Sequence, residues 1–194
     1  MPVFPVFLKL AGRRVVVVGG GPVAASKLGA LVAAGAQVVV VSPDVVPEIA
    51  AAREVEIVRR PFDPSDLEGT FYVVAAAPPD VNRAVAREAA ARGLFVNAVD
   101  DMENASAYAG AIVQRAGITI ALSTDGEAPA LAGLLREALE ELLPDDLDRW
   151  MACAHEARRK WLAERVPMAE RRPLLLKALN ELYERKRAAE YQQV

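Results

Sequence analysis

Val15-Val16-Val17-Val18 runs straight into Gly19-Gly20-Gly21, and Pro22-Val23-Ala24-Ala25-Ser26-Lys27 follows at once. A short continuous apolar run with β-branched side chains reads as a strand buried on both faces of a parallel sheet. The glycines after it serve either a tight turn or a close approach of the backbone to a ligand. Pro22 suits the first position of a helix, and the small residues behind it predict a helix over 22–34, stopped by Gly35. Strand, glycine turn and helix in this order restrict the chain to folds in which parallel strands are joined by helical crossovers.

The remainder of the first hundred residues repeats that scheme. Further strands are expected over 37–41 (QVVVV), 55–59, 71–75 (FYVVA) and 95–99 (FVNAV), and a helix over 80–92, with Asp80 as its N-cap behind Pro78 and Pro79 and Gly93 as its stop. Strand alternating with helix predicts an α/β fold, a Rossmann-like doubly wound parallel sheet. The pattern then changes. Residues 111–115 and 118–123 flank Ala116-Gly117 as a hairpin would, and Leu131, Leu134, Leu135, Ala138, Leu139 and Leu142 recur at helical spacing up to Pro144. Two further helical stripes follow, Leu147 to Leu162 and Leu175 to Tyr183. Residues 1–144 carry 12 basic and 17 acidic side chains and residues 145–194 carry 11 and 9, which marks a boundary near Pro144. Three parts are therefore expected: 1–110, 111–144 and a helical C-terminal domain over 145–194.

Composition excludes several classes of function. With 53% hydrophobic and 25% charged residues the chain is globular, and a net charge of −3 without a basic tract gives no general attraction to nucleic acid. Met1 to Leu10 is apolar but short, broken by proline and without a basic leader, so neither a signal peptide nor a membrane span is expected. Cys153 is the single cysteine, which fits a reducing cytoplasm. His155 is the single histidine and lies beside it in a helical stretch; the two make no ligand set, and no metal site is expected.

The turn has the form Gly19-x-Gly21-x-x-Ala24, a variant of the dinucleotide fingerprint, and it stands where that fingerprint belongs, after the first strand and at the start of the first helix. Gly19 permits the turn, Gly21 lets a pyrophosphate approach, and Ala24 keeps the helix close to the sheet. Pro22 has no N–H, so phosphate donors must come from neighbours such as Gly21 and Val23. The second strand ends in Ser42-Pro43-Asp44. An acid about 20 residues beyond the glycines takes the ribose hydroxyls of NAD, whereas an arginine suits the 2′-phosphate of NADP. No arginine is near Asp44 in the chain, so NAD is the expected cofactor. The competing role for Asp44 is to cap the short helix after it.

Ligands of such sheets bind beyond the carboxyl ends of the strands. The fifth strand ends in Asn97-Ala98-Val99-Asp100-Asp101. Adjacent side chains on an extended segment point apart, so the two acids are not a dyad; one is either a general base or a turn residue. Asn97 is a candidate substrate contact. Ser123 and Thr124 after the hairpin either hold substrate or cap the next helix.

Three stretches together, FPVFLKLAGRRVVVVGGGPVAASK, NAVDD and ALSTDGEAPALAGLLREALEELLP, closely resemble the precorrin-2 dehydrogenase module of siroheme synthases over residues 3 to 144. The resemblance implies NAD-dependent oxidation of precorrin-2 to sirohydrochlorin. It also implies a homodimer, with the β/α section over 111–144 serving dimerisation. Several members also insert iron, which would make ferrous ion a transient partner. Carried onto this chain, the family's key carboxylate is Asp100, and its cofactor positions are Gly21-Pro22-Val23 and Pro43-Asp44. Two departures stand out: Ser26 replaces an arginine common in the family, and the loop STGGKSP is here STDGEAP. Precorrin-2 is a polycarboxylate, so its site needs cations; Arg115, Arg136 and Arg158-Arg159-Lys160 are the candidates, unless they only solvate helix faces. A rival from another class is a regulatory NAD-sensing module. It accounts for the first hundred residues but not for the hairpin and the leucine-rich helix.

Overall fold

The computed structural model describes residues 3–99 and 101–191, with side chains as far as 184. The chain divides into two compact units, Met1–Ala109 and Gly110–Val194. The sequence boundary near Pro144 lies inside the second.

In the first unit β1 (Arg14–Val18), β2 (Gln37–Val41), β3 (Val55–Val58), β4 (Tyr72–Ala75) and β5 (Phe95–Ala98) form one parallel sheet in the order β3-β2-β1-β4-β5. The connecting helices are α1 (Pro22–Ala33), α2 (Pro47–Ala50) and α3 (Pro79–Ala91). Alternate valines go to opposite faces. Val15, Val17, Val38, Val40 and Val74 pack with Ala24, Leu28 and Leu31 of α1, and Ile49 of α2 joins them. Val16, Val18, Val39, Val41 and Val73 pack on the other face with Val85, Ala86 and Ala89 of α3. Burying a side chain of this size contributes roughly 1.5–3 kcal/mol, and with both faces covered every residue of β1 from Val15 onward contributes. That is why the strands read as solid valine instead of alternating. Helices on both faces make the sheet doubly wound, as expected, with its topological switch between β1 and β4.

Element ends differ slightly from expectation. β3 stops at Val58 and β5 at Ala98, one residue short of the predicted runs, and β4 starts at Tyr72. The N-cap of α3 is Pro78, not Asp80. Pro79 fills the first helical position at no cost in hydrogen bonding, and Asp80 lies in the first turn, where its charge suits the helix dipole. The outer edge of β5 is covered: Ser106 and Ala107 both donate N–H to the Val96 carbonyl, and the Ser106 hydroxyl accepts from Val96 N–H at 2.9 Å.

The second unit begins with β6 (Ala111–Arg115) and β7 (Ile118–Leu122), an antiparallel hairpin. Its two-residue turn, Ala116 at φ 50° and Gly117 at φ 79°, has the left-handed pair that twists correctly for a hairpin. α4 (Pro129–Leu142) packs on the hairpin, and α5 (Leu147–Ala163) pairs with α6 (Met168–Tyr191). Trp150 Nε1 donates to the Tyr183 hydroxyl at 2.8 Å, with the rings edge to face. Arg115 reaches the Leu143 carbonyl and the Asp145 carboxylate, tying the hairpin to the α4–α5 link.

Among the described residues of the first unit, one charged side chain is buried. Between β3 and β4 a 3-10 turn, Pro64–Leu67, carries Asp66, only 6% exposed. Its carboxylate receives both terminal nitrogens of Arg60, at 2.8 and 2.5 Å, and Asp63 N–H at 2.8 Å. Burial pushes the Asp66 carboxyl up, but the Arg60 and Asp63 hydrogen bonds and the Arg60 charge outweigh it and hold the group below its ordinary range. A depressed carboxyl contributes its stability above the unfolded value, about 4, and loses it as pH falls through the folded value. Asp66→Asn should therefore cost about 2 kcal/mol at neutral pH. The gap from wild type should close as pH falls below about 4. Denaturant unfolding of both proteins at neutral and acid pH measures that gap.

Candidate functional site: a cleft over the carboxyl ends of the strands

The ends of β1, β2 and β4 open into a cleft of about 620 Å³. Its walls are the glycine turn Gly19–Gly21, the stretch from Val41 to Val46, the pair Pro61-Phe62, and Ala76 to Pro78 with Val81. The cleft lies at the switch point, where doubly wound sheets bind ligands.

The three glycines are required for three different reasons. Gly19 has φ +122°, and a Cβ on it would press into the Ala76 carbonyl at the end of β4. Gly20 has an ordinary φ, yet a Cβ there would drive into the Asp44 carbonyl and stand 2.8 Å from the Ser42 hydroxyl. The Gly20 carbonyl also accepts from Val46 N–H at 2.8 Å, which locks the turn to the loop after β2. Gly21 meets nothing within 4 Å. It caps α1 with extended backbone, no side chain caps the helix, and no acid lies in its first turn. Val23 and Ala24 N–H groups are therefore orphan donors at a positive helix end. Open space at Gly21 beside such donors fits the pyrophosphate of a dinucleotide. Ala24 itself is wholly buried between α1 and the sheet, while Val23 is exposed.

Pro43 and Asp44 are exposed at the lip of the cleft, and Ser42 is buried below them. The N-cap of α2 is Val46, without a side-chain cap, so Asp44 does not serve the competing role. Its carboxylate makes no hydrogen bond among the described residues. The pairing Val41↔Val58 and the bond from Ser42 N–H to the Val58 carbonyl bring Arg59 and Arg60 to the neighbouring strand end. Reading the chain linearly missed them. Arg60 is taken by Asp66, and Arg59 is exposed.

Two more contributors escaped sequence reasoning. Gly20 is one, because the fingerprint treats its position as free. The other is Asn82, 5% exposed in α3, whose Oδ1 accepts Ala77 N–H at 2.9 Å and fixes the β4–α3 wall. Its only signal was an amide in a first turn just after Ala-Ala-Pro-Pro.

At the end of β5 Asn97 is buried, and Val99 N–H donates to the Ala75 carbonyl. Asp100 lies outside the described residues. Asp101 is engaged in a turn: its carboxylate accepts Asn104 N–H at 3.2 Å and Asn104 Nδ2 at 3.0 and 2.8 Å. Ser123 and Thr124 belong to the second unit. The Ser123 hydroxyl accepts Asp125 N–H at 3.0 Å and that of Thr124 accepts Ala128 N–H at 3.2 Å. The N-cap of α4 is Ala128, so neither hydroxyl caps that helix. Of the candidate cations, Arg115 is paired with Asp145, and Arg136 with Glu140 and Glu137.

Residues 6–111 match a protein-family model described as "Putative NAD(P)-binding". Siroheme synthase 2 of Aeromonas salmonicida is 45% identical over 150 residues, covering 76% of this chain and 31% of the relative. Siroheme synthase of Zymomonas mobilis is 37% identical over 194 residues, 97% of this chain and 41% of the relative. The chain thus spans about a third of the length of the curated relatives it matches. Among solved structures, SirC, precorrin-2 dehydrogenase, superposes with a TM-score of 0.73 over 99% of this chain and 100% of that one, at 24% identity, and so shares the fold. With more than half of its length matched, from before the glycine turn to the first residue of β6, the chain belongs to this NAD(P)-binding family.

Proposed function

We propose that the protein is a cytoplasmic NAD-dependent dehydrogenase that oxidises precorrin-2 to sirohydrochlorin in siroheme biosynthesis, working as a homodimer. The observation that carries this reading is the glycine turn opening on the switch-point cleft, in a chain 37 to 45% identical to siroheme synthases. The name of the fold neighbour, precorrin-2 dehydrogenase, supports the same substrate. The exposed Leu131, Leu134 and Leu135 on α4 support a partner copy.

NAD supplies a hydride acceptor when bound. The chain's residues do the rest. Gly21 leaves room for the pyrophosphate, the Val23 and Ala24 N–H groups bond it, and Asp44 accepts from the ribose hydroxyls. Removing two hydrogens from the macrocycle as hydride and proton leaves one proton to be taken. Asp100 receives it at a carboxylate oxygen; its neighbour Asp101 is already committed to Asn104. Asn97, Ser123 and Thr124 are the proposed substrate contacts. Arg158, Arg159 and Lys160 are the proposed cations for the substrate carboxylates, since Arg115 and Arg136 have carboxylate partners of their own. Anaerobic incubation with precorrin-2 and NAD tests the whole reading through the sirohydrochlorin spectrum. NAD binding without turnover would make the protein a nucleotide-binding module instead.

Variants at five positions test these roles. Gly21→Val should weaken NAD binding at least about tenfold, because its side chain enters the open space, and should change thermal stability little. Gly20→Ala should do the opposite first, lowering stability by about 2 kcal/mol through overpacking against Asp44. Calorimetric titration and thermal melts on both variants separate the two roles. Wild type should prefer NAD over NADP in kcat/KM, and Asp44→Ala should narrow the preference by removing the repulsion of a 2′-phosphate near Arg59. A wild type that prefers NADP refutes the role of Asp44. Asp100→Asn should lower turnover about 10²–10⁴-fold, the usual worth of a general base, with NAD affinity nearly unchanged. Asp101→Asn should affect turnover less and stability more. Near-wild-type turnover in Asp100→Asn would remove the base from that position.

A further inference from the structure

With the phosphates assigned to the glycine turn and a ribose to Asp44, a reading on which this inference rests, the lining that remains includes Pro43 and Val45 after β2 and Pro61 and Phe62 after β3. These residues offer ring faces and aliphatic surface and no polar side chain. Such a wall suits the face of a planar base. Pro61 and Phe62 sit on the loop leaving β3, and a loop is ordinarily too mobile to present a fixed face without an ordering cost on binding.

Here the loop is tied shut. Arg60 Nη1 donates to the carbonyl of Pro61 at 3.0 Å and to Asp66 Oδ2 at 2.8 Å, while Nη2 donates to Asp66 Oδ1 at 2.5 Å. Asp66 also accepts from Asp63 N–H, and the Asp63 carboxylate accepts from Ser65 N–H at 2.9 Å. Residues 60 to 66 therefore form a closed ring of hydrogen bonds around the two wall residues. Phe62 is further held, like Val58, by packing against the cluster that contains Leu67. Asp66 is buried while Arg60 is 44% exposed, so the pair reaches from the interior to the rim of the loop. One guanidinium serves three acceptors in a fixed fork, which a lysine ammonium does not reproduce. A pair needed only to close the 3-10 turn would not require the added bond to the carbonyl of a cleft-lining residue.

The geometry points to Arg60 and Asp66 as positioning residues for the cofactor's adenine: their ion pair holds Pro61 and Phe62 as a preformed wall for the base. Neither residue touches the cofactor; both act through Phe62.

The test uses the full chain and two probes, ADP and NAD, titrated by calorimetry, together with steady-state kinetics on precorrin-2. Arg60→Ala should weaken ADP and NAD by the same factor, about tenfold, by loss of preorganisation. Arg60→Lys should recover only part of it. Phe62→Ala, which leaves the ion pair intact, should cost about as much, and Arg60→Ala with Phe62→Ala should cost no more than either alone, because the two act as one unit. KM for NAD should rise in step while kcat at saturating NAD holds. A folded Arg60→Ala with wild-type ADP affinity overturns the proposal, as does a fall in kcat with KM unchanged. If Arg60→Ala fails to fold, Phe62→Ala decides: unchanged ADP affinity there also overturns it. A wild type that binds ADP and NAD but leaves precorrin-2 unoxidised refutes the dehydrogenase reading, and the ADP comparison still decides the role of the ion pair. A wild type that binds neither refutes both.

Discussion

Gly19 and Gly20 run so close to the carbonyls of Ala76 and Asp44 that neither position admits a Cβ, and the alignment of the sheet depends on this. In most sheets register is set by polarity, because slipping a strand by one residue exchanges its buried and exposed faces. That control is weak here. β1 and β2 are valine on both faces, so a one-residue slip would bury nearly the same surface. What distinguishes the native pairing, Val18 beside Val41 and Ala75, is that it puts a glycine at each close approach. A slip that carried Val18 into the place of Gly19 would force its side chain into the Ala76 carbonyl. The turn that opens the cleft is therefore also the device that aligns its three strands, and ligand site and fold share one constraint.

This sharing explains which parts of the molecule could be read in advance. Solid valine runs, a glycine turn and proline at a helix start are local signals, and they located the sheet, α1 and the cleft. The hairpin was equally local, because Ala116-Gly117 supplies the left-handed pair that a two-residue turn needs. Gly20, Asn82 and the Arg60–Asp66 pair were not legible. Each owes its role to a partner brought near by tertiary structure: the Asp44 carbonyl, the Ala77 N–H, and a loop folded on itself. Arg59 and Arg60 illustrate the limit well. They are about fifteen residues from Asp44 in sequence, yet parallel pairing of β2 and β3 brings them to the same end of the sheet. No periodicity contains that information.

From their position alone the adjacent acids Asp100 and Asp101 were equivalent, and only the family resemblance singled out Asp100. Asp101 holds a turn through Asn104, in the segment that returns to cover the edge of β5 at Val96. A carboxylate that accepts three N–H contacts is committed to holding its turn. This supports the proposed division of labour, in which Asp101 fixes the loop and the proton is assigned to Asp100. The same logic separates the cations. Arg115 and Arg136 carry their own carboxylates, and recruiting either for a polycarboxylate would first break an existing pair.

Asp44 belongs to this pattern through its two ends. Its main-chain carbonyl is the surface against which Gly20 is fitted, and its side chain is exposed at the lip, relieved of helix capping because Val46 takes the N-cap of α2. An acid that capped α2 would spend its oxygens on backbone N–H groups and present little to a ribose. Moving the cap two residues on frees the carboxylate, and the Val46 N–H that would have needed a cap is satisfied by the Gly20 carbonyl. The glycine turn thereby both positions Asp44 and releases it. The conformation of one wall of the cleft is thus set by the other.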